Sequence, residues 1–125
     1  MISGIDTGLS KDYISKYDTE EPKTVWKLGV LSSYAFAYVG SKISDPSQSV
    51  NGMIEIVRIG LLGFSNFKDK DGNDVEFTTK SKEIGQRSFK IVSDNIINII
   101  PIDIIIELGG EILKITNLTE QEIKN

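Results

Sequence analysis

Val50, Met53, Ile54, Val57 and Leu61 recur every three or four residues, which sets them on one face of an α-helix and commits the middle of the chain to an amphipathic helix. Ahead of them, Asp45-Pro46-Ser47-Gln48 offers an acidic cap, a proline at the first helical position and a glutamine able to complete a capping box. Gly60 and Gly63 bring that helix to its end. A helix with one apolar face needs a second layer to bury it, so the flanking segments must supply that layer.

Lys23 to Leu31 carries Val25, Trp26, Leu28 and Val30 in partial period-two alternation, the pattern of a strand. From Ser32 or Ser33 the spacing of Tyr34, Tyr38 and Val39 among alanines predicts a helix ending near Gly40. After the central helix, Phe64 to Phe67 and Val75 to Thr79 flank the segment 68–74, in which Asp71-Gly72 is a strong hairpin signal because glycine accepts positive φ at no steric cost. The expected sheet is therefore the Lys23 to Leu31 strand with the Phe64 to Thr79 hairpin.

The ends are read in the same way. Ser10 can cap a short helix bearing Tyr13, Ile14 and Tyr17, so residues 1–21 form a docking arm that the turn at 18–22 closes. Lys80 to Lys90 is polar, has Gly85 inside and shows little periodicity, which suggests a mobile loop. Ser93 or Asp94 caps a short helix through Ile100, and Pro101 opens another with Ile102, Ile105, Ile106, Ile112 and Leu113 inward and Asp103, Glu107, Glu111 and Lys114 outward. A buried strand over Ile102 to Ile106 competes with that helix, but the polar positions keep helical spacing through Lys114. Gly109-Gly110 in its interior costs roughly 1 kcal/mol per glycine, which close packing of a neighbour would offset. Thr119 and Glu122 form a capping box, with Leu118 and Ile123 as hydrophobic staple, so a last helix is expected over 117–125.

Chemistry is constrained by what is missing. The 125 residues include no histidine and no cysteine, which removes imidazole bases, histidine triads, thiolate nucleophiles and the two commonest transition-metal ligands. No nucleophile elbow, phosphate loop or dinucleotide glycine pattern occurs, so the chain is not read as an enzyme and no cofactor or metal is expected. Net charge is −4, which works against nucleic acid and anionic membranes as partners. The most apolar stretch, Ile96 to Ile106, is broken by Asn98, Pro101 and Asp103 and reads as core rather than as a membrane anchor. With no basic leader and no cysteine, a cytoplasmic setting is expected.

Other features have ordinary readings beside functional ones. Asp69, Asp71, Asn73 and Asp74 bunch oxygen ligands, but Gly72 and Lys80 fall where a calcium loop does not put them, so a solvated hairpin tip is expected. Lys80, Lys82, Arg87 and Lys90 are the one basic concentration, able to grip a phosphate or an acidic partner or simply to solvate a loop. Trp26, Tyr34, Phe36, Tyr38, Phe64 and Phe67 are mostly core. The candidate partner-binding residues are Ile112, Ile115, Leu118 and Ile123, on a C-terminal segment too short to be a stable helix unless another chain completes it.

The phrases Glu21-Pro22-Lys23-Thr24-Val25-Trp26-Lys27-Leu28, Val57-Arg58-Ile59-Gly60-Leu61-Leu62-Gly63-Phe64 and Asp69-Lys70-Asp71-Gly72-Asn73, followed by Pro101, Glu107-Leu108, Leu118-Thr119 and Lys124-Asn125, give the chain a family likeness. It resembles small tail-assembly proteins of tailed bacteriophages. That resemblance implies a tail assembly chaperone that coats the tape-measure protein in the bacterial host cytoplasm, and it transfers no individual functional residue. A hairpin departs from the mainly helical members, which keeps a structural tail or neck component as an alternative, and small acidic phage proteins that inhibit host defence systems are another. The partner implied in every case is a protein chain, with room for self-association. The expected fold is one α+β domain, a small antiparallel sheet packed against helices centred near Val57 and Leu108 that supply most of the core.

Overall fold

The computed structural model describes the backbone of residues 1–124 and the side chains of residues 1–117. It is an α+β fold in which two small antiparallel sheets pack on helices. Strands β1 (Ser10–Tyr13), β2 (Val25–Gly29) and β3 (Leu61–Ser65) form one sheet in that order, and β4 (Thr79–Ile84) with β5 (Arg87–Val92) forms the other. The helices are α1 (Ser33–Ile43), α2 (Ser49–Gly60), the single turn α3 (Asp94–Ile97) and α4 (Ile102–Lys124).

The central helix forms where its apolar spacing put it. Asp45 accepts a hydrogen bond from the Ser47 amide at 3.0 Å, but residues 46–48 make a 3₁₀ turn and α2 proper begins at Ser49. Ser32 caps α1 through the Ala35 amide at 3.3 Å, and the helix runs past Gly40 to Ile43. Helix α2 lies against α1, α4 and β5 at the centre of the molecule, with Ile56 and Val57 fully buried.

Close approach at this centre depends on two glycines. A Cβ on Gly60 would stand 2.8 Å from two side-chain carbons of Ile112, and one on Gly109 would stand 3.0 Å from the Met53 sulfur. Gly109 therefore has the packing reason that its cost in a helix demanded, whereas Gly110 faces open space. Next to this crossing, the buried Thr116 hydroxyl accepts from the Leu31 amide at 3.0 Å and donates to the Ile112 carbonyl at 2.8 Å, so neither polar group is orphaned in the core.

The sheets are put together differently from the sequence expectation. Residues 10–13 are strand rather than helix, because β1 pairs along β2 from Ser10 opposite Gly29 to Tyr13 opposite Trp26 and the ladder overrides weak helical spacing. The hairpin tip does form: Lys68 bridges to Asp74, the Val75 amide donates to the Phe67 carbonyl at 2.9 Å, and Gly72 sits at φ 81°. Beyond the tip its arms do not pair as one sheet, since Phe64 and Ser65 belong to β3 on β2, while residues 75–78 lie outside any strand and lead into β4, with the Thr78 carbonyl accepting from the Ser93 amide at 3.0 Å. Trp26, Phe64, Phe67 and Phe77 stack there with centroids 5.0–5.7 Å apart, and this cluster ties the tip to the sheet.

Lys80 to Lys90 is not a loop. It is the β4–β5 hairpin, turned by Gly85 and Gln86 at φ 54° and 64°, positive values at both central residues as a two-residue turn requires. The period-two signal was hidden because Lys80 and Lys82 take the positions of β4 that face the same way as Ile84, opposite Ile91 and Phe89 of β5, so the alternation along β4 is charged instead of apolar. Thr119 also starts no new helix: α4 runs through it to Lys124, and a helix already in progress has no free amides there for a capping box to satisfy. No helix among the described residues is long and apolar enough to cross a membrane.

Candidate functional site

Helix α4 is the longest element, 23 residues or about 34 Å at 1.5 Å per residue. One face makes the core: Ile105, Leu108, Ile112 and Thr116 are all at most 2% exposed. Sequence spacing also turned Ile102 and Ile106 inward, and the structure corrects this. Ile102 is 48% exposed and Ile106 42%, joined by Ile99 at 45% just ahead of Pro101. Ile102 and Ile106 lie four residues apart on α4 and so form a short apolar stripe beside the core face, while Ile99 belongs to the turn that precedes the helix. Gly110 and Lys114 continue the exposed surface, and Leu113 at its margin is half-buried.

The opposite flank of α4 is covered by the N-terminal segment, through Glu107. Its carboxylate accepts from the Tyr13 hydroxyl at 2.7 Å, the Ser15 hydroxyl at 2.5 Å and the Lys16 amide at 3.0 Å. Burial would push the Glu107 carboxyl up, but these three donors outweigh it and hold the pKa below the ordinary glutamate value. Burial, followed by the hydrogen bond to Glu107, pushes the Tyr13 phenol up to about 12. Glu107 thus acts as a latch that fixes residues 13–16 on α4, and it is not the outward-facing charge that helical spacing suggested. Residues 1–4 and 6–12 remain exposed.

The basic residues that could have gripped an anion are mostly engaged by the fold. Lys80 pairs with Asp94 at 2.7 Å, Lys82 lies 4.0 Å from Glu55, and Arg87 stacks 3.6 Å over the Tyr34 ring while donating to its hydroxyl at 2.6 Å. Arg58 joins Glu55 at 3.2 Å to Asp94 at 2.8 Å, so the cluster clamps the β4–β5 hairpin onto α1, α2 and α3. The hydrogen bond from Lys80, against a smaller opposing effect of burial, keeps the Asp94 carboxyl below its usual range. Lys90 alone of the four stays exposed without such a contact among the described residues.

At the hairpin tip, Asp69 accepts from the amides of Asp71 at 2.9 Å and Asn73 at 3.0 Å, so it holds the turn. Among the described residues, no group of three or more potential ligands is arranged to hold a metal ion. An open pocket between this tip and Ile99 is lined by Lys68, Asp69, Lys70 and Asp71, which sets charged side chains beside the exposed turn that leads into α4.

The four residues expected to bind a partner fare differently. Ile112 is fully buried against Gly60 and is a core residue, which corrects its reading as an interface residue. Ile115 is half-buried against the core, and the side chains of Leu118 and Ile123 lie outside the described residues. The exposed stripe of Ile102 and Ile106 was missed because isoleucines occupy both faces of α4, and composition does not say which face the molecule covers. No family model matches the chain, and no curated protein or solved structure is matched by it.

Proposed function

We propose that the protein is a non-catalytic protein-binding factor in phage tail assembly, acting in the bacterial cytoplasm and docking another chain on the outward face of α4. The observation that carries the docking part is the pair Ile102 and Ile106, each more than two-fifths exposed one turn apart on α4, with Ile99 equally exposed in the turn just ahead of it. Apolar side chains grouped at helical spacing on a rigid element are the usual form of a helix-recognising surface. The tail-assembly part rests on the resemblance of the sequence phrases around Trp26, Arg58 and Gly72 to tail-assembly proteins.

The experiment is affinity capture from phage-infected or induced cells, comparing the wild type with an Ile102→Glu/Ile106→Glu double variant. A tape-measure-type protein recovered by the wild type and lost from the variant is the expected result. Recovery of finished-virion proteins would replace the chaperone role by a structural one. Recovery of a host nuclease or defence protein would replace it by inhibition. Equal recovery by both proteins would overturn the docking face.

A further inference from the structure

Asp103 and Lys114 are exposed, of opposite charge, and in no ion pair among the described residues. They are eleven residues apart, close to three full turns, so they lie within about 20° of each other around α4, on the same flank of the stripe formed by Ile102, Ile106 and Gly110. We infer that in the free protein this face docks a second copy of the protein, packed with its α4 antiparallel about a twofold axis level with Leu108 and Gly109. The inference rests on the docking reading: the face pairs with itself until the chain it serves displaces the second copy.

The geometry is self-complementary in that arrangement. A twofold perpendicular to the helix brings each flank against the same flank of the second copy in reversed order, so Asp103 meets Lys114 of the second copy, and the pair occurs twice. The same operation sets Ile106 within about one residue step of Gly110 of the second copy. Gly110 has nothing within 4 Å of where its Cβ would be, which leaves room for an incoming isoleucine. Ile102 and Leu113 then alternate along the seam. A parallel pairing brings opposite flanks together and leaves both charges unmatched. One helix stripe is small beside the roughly 800 Å² per partner of a stable interface, so the expected dissociation constant is about 10–500 µM.

Sedimentation velocity of the full chain at low salt, from about 5 µM to about 1 mM, tests this. The average mass should climb from 13.8 kDa toward twice that value. Asp103→Lys and Lys114→Asp should each weaken self-association about tenfold, because each replaces two attractions by two repulsions. An equimolar mixture of the two variants should recover wild-type association, since the introduced charges then meet opposite ones. Ile106→Glu should leave a monomer whose circular dichroism and melting match the wild type. A wild type that stays monomeric throughout, or charge variants that associate like the wild type, would overturn the inference. If a monomeric wild type still captures a protein that Ile102→Glu/Ile106→Glu loses, the docking face stands and only self-pairing fails.

Discussion

The two faces of α4 carry the same residue type with opposite consequences. Ile105 and Ile112 are sealed against α2 and the sheet, while Ile102 and Ile106, a fraction of a turn away, stand 42–48% in solvent. An isoleucine contributes to stability in proportion to the surface it removes from water, so the inner pair contributes in full and the outer pair only about half as much. What an outer isoleucine can add is association.

That contrast can be broken most forcefully at Ile112. Ile112→Ala should destabilise the protein by about 2–5 kcal/mol in denaturant unfolding, whereas Ile106→Ala should stay within about 0.5 kcal/mol of wild type. Comparable losses at the two positions would erase the distinction between the faces. Gly60→Ala comes next, at about 1–3 kcal/mol, because the new methyl would enter the space of the Ile112 side chain.

The Glu107 latch gives an intermediate effect with a defined pH dependence. Its carboxyl titrates below the ordinary glutamate value of about 4.5, so the unfolded chain takes up a proton more readily. The latch's contribution is therefore present above that value and lost as pH falls below it. Tyr13 works in the other direction: its neutral phenol is favoured, and that contribution fades as pH rises from 10 to about 12. Glu107→Gln should cost about 1 kcal/mol near neutral pH and flatten the acid limb, with the NMR shifts of residues 10–16 reporting release of the segment. An unchanged acid limb would separate the latch from Glu107. The smallest effect has the opposite sign: Gly110→Ala should stabilise the monomer by about 0.5–1 kcal/mol, measured by the same unfolding assay, since it removes helix-breaking freedom without a clash.

Much of the fold was legible where local chemistry and tertiary packing agreed. The central helix, the serine cap before α1, the short helix after Ser93 and the strand around Trp26 formed near their expected places, although Val50 is exposed and Leu61 already belongs to β3. Failures cluster where tertiary contacts decided. Ser10 to Tyr13 became strand because β2 offered a ladder, and Lys80 to Lys90 became a hairpin because Lys80 and Lys82 reach Asp94 and Glu55 where a period-two reading looks for valines. The Thr119 to Glu122 pattern was read as a start only because nothing in sequence tells that a helix is already running. The docking stripe was illegible for a related reason: periodicity identified α4 as helical, but the burial of only part of its isoleucines depends on how wide a face α2 and β2 can cover.

The most direct single measurement is a parallel assay of Ile106→Glu for unfolding free energy and for association. Wild-type stability together with lost association is the expected result, because the side chain lies outside the core and on the docking face. A loss of stability matching that of a core residue, or association that persists unchanged, would contradict the assignment of the outward face of α4 as the binding surface.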